Sequence, residues 1–207
     1  EKQIIDVTRR RKTTDFKSSN EVVNEVIENI HKMSAQKSGV TGVATGYRDL
    51  DNTTNGFQRG DLIILAARPS MGKTAFALNV AMQIAQLNHQ AAAIFSLEMP
   101  AEQLISRMLS ADALIQGSQL RTGNLSVDEW TKVAVSAQNI ARMPMYIDDS
   151  AGITVAEMKA KLRRVPNLGL VVIDYLQLMS SGRRIDNRVQ EVSEITRNLK
   201  VLSLIHI

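Results

Sequence analysis

Three consecutive residues, Gly72-Lys73-Thr74, place a bare backbone, a mobile ammonium and a hydroxyl side by side. That combination suits a phosphate chain carrying a divalent cation. Lys73 supplies a charge for the β- and γ-phosphates, Gly72 lets the backbone come close, and the Thr74 hydroxyl is a ligand for Mg²⁺. Ser70 and Met71 before them and Ala75 after them complete the loop. Far along the chain, Asp174 ends the apolar run 170–173 and is placed to hold Mg²⁺ directly or through water, opposite Thr74. Glu98, in Ser96-Leu97-Glu98-Met99-Pro100, follows another apolar run. A carboxylate there is placed to orient or deprotonate an attacking water, the alternative being a helix cap. Gln177 is polar where an apolar run would otherwise continue, and suits a nucleotide contact or a relay of its state. Arg107 is a nucleotide contact or a surface arginine. Arg183 and Arg184, in a Ser and Gly loop just beyond Asp174, suit a nucleic-acid backbone or a solvated turn. The pair Asp148-Asp149 is either metal-binding or solvated. Together the residues describe hydrolysis of a nucleoside triphosphate bound with Mg²⁺.

This chemistry requires elements that bring distant residues to one place. The apolar run 62–67, a Pro and Ser turn, and apolar residues at helical spacing from 75 to 87 read as buried strand, tight loop and helix. A loop that opens a helix leaves N–H groups unpaired at the positive end of the dipole, where phosphate binds. The first position of the P-loop pattern, usually Gly, is Ala67. A second strand over 91–97 makes a β-α-β unit, hence a parallel sheet with right-handed crossover and a site at the carboxyl ends of its strands. The run 170–173 reads as a strand buried on both faces. Leu104, Ile105, Met108 and Leu109 give a helix from about 101 to 115, followed by a polar connection over 117–125. Ser126-x-x-Glu129 and Thr154-x-x-Glu157 are capping boxes that open helices to Arg142 and Leu162, with the short strand 145–147 between them. Trp130 reads as a packing residue, and Lys159, Lys161, Arg163 and Arg164 as a solvated face. Val189, Val192, Ile195, Leu199 and Leu202 form a last helix, after which Ser203-Leu204-Ile205-His206-Ile207 reads as the start of another strand.

Composition agrees with one large α/β domain and an appendage: 207 residues, 44% hydrophobic, 22% charged. With no Cys, disulfides and thiolate metal sites are excluded, which suits a cytoplasmic protein. No apolar run approaches the ~20 residues of a membrane span. The net charge of +4 permits an anionic partner. Residues 1–17, with Arg9-Arg10-Arg11-Lys12, read as a basic linker. Residues 18–36 read as an amphipathic helix whose Ser18-x-x-Glu21 box precedes a stripe of Val22, Val23, Val26, Ile27, Ile30 and Met33. Its apolar face needs a surface, on its own domain or on a neighbouring subunit. Residues 39–60 read as turns around a short amphipathic piece over 47–50, and 37–207 as the catalytic domain. A start at Glu1 without Met reads as a piece of something longer.

The segments TGYRDLDNTTNGFQRGDLIILAARPSMGKTAFALN, FSLEM, VVIDYLQLM and RVQEVSEITRNLK, in that order, resemble the motor domain of bacterial replicative DNA helicases, the DnaB family, a branch of the RecA-like ATPases. Ala67 is compatible with that family's ARPS-GKT form. The resemblance implies a RecA-like P-loop NTPase, a central, mostly parallel β-sheet flanked by helices and preceded by a linker helix that docks on the adjacent subunit. It implies a homohexamer around single-stranded or forked DNA, moving 5′ to 3′ on Mg-ATP, with helicase loader and primase as partners and no membrane. Ser70, Met71, Gly72, Lys73, Thr74 and Ala75 would cradle the phosphates, with Glu98 catalytic, Thr74 and Asp174 on the metal, and Arg107 and Gln177 at the nucleotide. It also implies that 37–207 is incomplete at its C-terminus, lacking a sensor glutamine, the main DNA-binding loop and an arginine finger. Such a chain binds nucleotide better than it hydrolyses it, since a trans arginine is worth several orders of magnitude. Two other classes share the core. A RecA-like recombination or repair ATPase would not need the linker helix or FSLEM, and a nucleotide-gated assembly adaptor would not need Glu98.

Overall fold

The computed structural model describes residues 18–35, 40–182 and 187–206. Arg9-Arg10-Arg11-Lys12, Arg183 and Arg184 lie outside them, as does the side chain of Met33. The chain divides into a unit ending at Thr41 and a unit beginning at Gly42.

The described part of the first unit is one helix, α1 (Ser19–Ala35). Its capping box forms as the spacing requires: Ser18 N donates to Glu21 Oε2 at 3.0 Å and Glu21 N to Ser18 Oγ at 3.3 Å. The valines and isoleucines of the stripe stand exposed, from 41% at Val22 to 58% at Ile30.

The second unit runs α2 (Arg48–Thr54), α3 (Lys73–Leu87), β1 (Ala91–Ser96), α4 (Ala101–Ala113), α5 (Gly117–Thr122), α6 (Val127–Arg142), β2 (Met145–Asp148), α7 (Val155–Leu162), β3 (Leu168–Asp174), a single 3-10 turn (Leu176–Leu178) and α8 (Arg188–His206). The three strands form one parallel sheet in the order β2-β1-β3. Side chains alternate across a strand, so Ala92 and Ile94 of β1 face one layer and Ala93 and Phe95 the other. The first pair packs with Leu78, Ala81 and Met82 of α3, Leu104 and Met108 of α4, and Ile140 of α6. The second packs with Met158 and Leu162 of α7 and Ile195, Leu199 and Leu202 of α8. Covered on both sides, β1 is apolar from Ala91 to Phe95, as suits a central parallel strand. Both predicted capping boxes, Ser126 with Glu129 and Thr154 with Glu157, are formed.

Several expectations fail, for physical reasons. The run 62–67 is not a strand: among the described residues no ladder partner pairs with it, and Ile63, Ile64 and Leu65 are exposed. A strand exists only through its neighbours, and among the described residues β3 is hydrogen-bonded to β1 alone. For the same reason β3 is half-buried rather than covered, apart from Asp174. The polar stretch after 116 contains α5, closed by Gly123 in the left-handed region. Trp130 is 55% exposed and no core residue. The tail after Leu202 continues α8 to His206 instead of starting a strand. Residues 40–60 are ordered by a turn in which buried Asp51 accepts from Thr45 N at 2.8 Å, Thr45 Oγ1 at 2.7 Å and Gly46 N at 3.2 Å. Tyr47, from that turn, lays its ring against Phe76 of α3, 5.2 Å between centroids. No described helix is long and apolar enough to cross a membrane.

Candidate functional site

The carboxyl ends of β1 and β3 lie together. Ser96 is paired with Asp174, and Leu97 N donates to Asp174 O at 2.8 Å. α3 begins against this same end. Thr74 Oγ1 donates to Asp174 Oδ2 at 2.6 Å, while Lys73 Nζ lies 2.8 Å from Asp174 Oδ1. Each oxygen of one buried carboxylate thus has its own partner on the first turn of a helix. The Lys73 ammonium also stands 4.7 Å from the centroid of the Tyr175 ring.

The loop that delivers these groups is shaped by its backbone. Met71 N donates to Arg68 O at 3.3 Å, and Ser70 and Gly72 take φ values of 63° and 83°. A side chain at Gly72 would meet no atom within 4 Å, so the left-handed φ, and not crowding, is what calls for glycine. The same fact leaves open space above the loop. Gly72 caps α3 without a side chain, and the first intrahelical bond runs from Phe76 N to Gly72 O at 2.9 Å. The N–H groups of Lys73, Thr74 and Ala75 therefore have no acceptor within the helix, which makes its start a place for an anion. Ser70 and Met71 are exposed on the loop.

Glu98 is exposed two residues beyond Ser96, in a turn fixed by Ser96 Oγ donating to Met99 O at 2.6 Å. It does not cap α4. That helix starts at Pro100 without a side-chain cap, and Ala101 N donates instead to Asp149 Oδ2 at 3.1 Å. Asp149 therefore takes the structural duty, and Glu98 stands exposed, with no hydrogen bond or ion pair among the described residues, at the sheet end that carries Asp174. Its neighbour Asp148 pairs with Lys161. Burial pushes the Asp148 carboxyl up, but hydrogen bonds from Lys161 and Ser150 prevail and hold it below 3.8. The two adjacent aspartates are thus engaged separately, and among the described residues no three His, Asp or Glu cluster to hold a metal. The oxygens suited to Mg²⁺ are those of Thr74 and Asp174, a hard alcohol and carboxylate set that fits a cation also coordinated by phosphate.

Arg107 lies exposed on α4, and among the described residues no hydrogen bond or ion pair joins it to the loop. Gln177 lies in the 3-10 turn with its side chain exposed; its carbonyl accepts from Arg188 Nη2. Arg188 also pairs with Glu191, which accepts from Ser181 N at 3.3 Å. The Ser181 N–H, and then Arg188, hold the Glu191 carboxyl below 4.5. The stretch after Asp174 is tied in this way to the first turn of α8. Sequence reasoning passed over Tyr175 and the Arg188–Glu191 pair, and read Asp149 as metal-binding or solvated where it caps α4. The available signals were adjacency to Asp174 for Tyr175 and an i, i+3 opposite-charge spacing for the pair.

Residues 42–204 match the family described as DnaB-like helicase C terminal domain. The chain is 48% identical to the replicative DNA helicase DnaC of Bacillus subtilis strain 168, over 98% of its own length and 46% of that protein's. It superposes on a DnaB-like replicative helicase solved for its interactions with primase, with a TM-score of 0.80 at 30% identity, covering 98% of this chain and 49% of that one. A solved ATPase domain gives a TM-score of 0.84 at 32% identity, over 91% of this chain and 68% of that one. The chain spans less than half the length of the curated relatives it matches. With strand ends, P-loop and family match in agreement, the chain belongs to the DnaB-like helicase C-terminal domain family and has its RecA-like fold.

Proposed function

We propose that this chain is the ATP-hydrolysing motor part of a replicative DNA helicase, which couples Mg-ATP hydrolysis to 5′ to 3′ movement on single-stranded DNA and to unwinding at a fork. The observation that carries the reading is the junction of Lys73, Thr74 and Asp174 at 2.6–2.8 Å, on strand ends beside an exposed Glu98. The N–H groups of residues 72–75, with Ser70 and Met71 lining the loop, hold the phosphates; Lys73 neutralises the β- and γ-oxygens. Thr74 and Asp174 hold Mg²⁺, which when bound supplies charge neutralisation to the transferring phosphoryl group. Glu98 orients the attacking water and takes its proton. Arg107 and Gln177 reach the nucleotide, and Arg183 and Arg184 the DNA backbone. In the whole protein, residues 18–36 form the linker helix, six copies make the ring, and a loader and primase are its partners, primase being the partner studied with the related helicase.

The test is unwinding of a forked duplex with a free 5′ tail by the full-length protein with Mg-ATP. Unwinding by the wild type and none by Glu98→Gln, with ATP binding kept, is the expected result. Tight ATP binding without unwinding by the wild type would overturn the motor reading.

A further inference from the structure

We propose that Tyr175 is a positioning residue for Lys73, its ring face holding the ammonium at the mouth of the P-loop; this rests on the nucleotide reading of that loop. Lys73 Nζ stands 4.7 Å from the Tyr175 centroid, inside the ~6 Å over which a ring quadrupole attracts a cation. The ammonium therefore has two partners of different kind: the Asp174 carboxylate at 2.8 Å and a neutral ring. The difference between them carries the argument. Asp174 and Thr74 are the oxygens suited to a metal ion, so whatever binds there competes with Lys73 for the carboxylate. A neutral ring has no charge for a cation or a phosphate to compete for, so its grip on Lys73 survives the exchange of one anion for another. Without it, a four-carbon side chain held only by its charge partner recovers its rotamer freedom when that partner turns away, and binding must restore the order.

Tyr175 is built for this task. It follows Asp174 directly, is half-buried, and opens the 3-10 turn from an extended backbone with φ −128° and ψ 159°. The turn is in turn anchored to α8, through Arg188 on the Gln177 carbonyl. The ring is thus attached to the strand that carries the metal-side acid, while Lys73 arrives on α3, and the contact joins the two halves of the site.

The experiment uses the 207-residue chain, with Lys73 resonances assigned by their loss in Lys73→Ala. In the ligand-free wild type, the ε-methylene protons of Lys73 should be shifted upfield by the Tyr175 ring current. The shift should persist in Tyr175→Phe, which keeps the ring face, and vanish in Tyr175→Leu. Titration with Mg-ATP should give wild-type affinity for Tyr175→Phe and about three- to tenfold weaker binding for Tyr175→Leu. An unshifted Lys73 in the wild type, a measurement that needs no folded variant, would overturn the proposal; so would Tyr175→Leu binding Mg-ATP like the wild type. Mg-ATP binding unaffected by Lys73→Ala would instead overturn the nucleotide reading and leave the ring contact standing.

Discussion

Asp174 is the residue at which the site is joined, because its two oxygens face two different groups on one helix turn. Its side chain is only 9% exposed, so each oxygen depends on the partner it has. Lys73→Ala removes one partner and the proposed phosphate cation together, and Mg-ATP binding measured by calorimetry should be lost. Glu98 stands differently. It is exposed and has been relieved of helix capping by Asp149, so the isosteric Glu98→Gln should keep Mg-ATP affinity within about twofold while lowering hydrolysis by about 10²–10⁴-fold, the range assigned to a positioned base. Single-turnover phosphate release separates the two effects. A variant with both binding and turnover intact would remove Glu98 from the chemistry.

Elements differ in what they bury, and their tolerance of substitution should follow. Ile94 on β1 is 1% exposed between α3, α4 and α6, and Ile94→Ala should cost about 2–5 kcal/mol in urea unfolding. Ile64, equally apolar but 77% exposed in the unpaired run 62–67, should accept Ile64→Lys at a cost within about 0.5 kcal/mol. The same change should raise solubility, since an exposed, uncharged β-prone run is a template for pairing with other chains. At the helix starts, the capping N–H groups of Ser126 and Thr154 hold Glu129 and Glu157 below 4.5. These glutamates bind fewer protons folded than unfolded, so the stability they add is present above about pH 4.5 and is lost as pH falls through their lowered values. Urea midpoints measured from pH 6 to pH 3 should decline for the wild type. The deficit of a Glu129→Gln, Glu157→Gln variant should shrink over the same range.

At the scale of the molecule, both hydrophobic clusters belong to the second unit, and none of their residues lies before Leu62. A chain of residues 42–207 should therefore melt within a few degrees of the 207-residue chain. α1 contributes an uncovered apolar stripe, Val22, Val23, Val26, Ile27 and Ile30. An apolar face of that extent is a surface for association, so the 207-residue chain should show concentration-dependent sedimentation. A Val26→Glu, Ile30→Glu variant should sediment with less concentration dependence; equal behaviour would show that the stripe is not the associating face.

The residues of the candidate site could be picked out in the sequence because its parts are local. Gly72-Lys73-Thr74 is contiguous, Asp174 ends its own apolar run, and the capping boxes at Ser126 and Thr154 close within three residues. Helices read well for the same reason, their hydrogen bonds lying within the segment, and α3 spans the residues its periodicity assigns. What depended on partners distant in sequence was settled only by tertiary structure. Leu62 to Leu65 have the composition of a strand and are none, since a ladder needs a neighbour that composition does not name. Asp149, read as metal-binding or solvated, caps a helix that begins 48 residues earlier. Tyr175, indistinguishable in sequence from any aromatic after a strand, comes to lie beside Lys73 because parallel pairing of β1 with β3, and the packing of α3 upon them, bring the two strand ends and the P-loop to one edge.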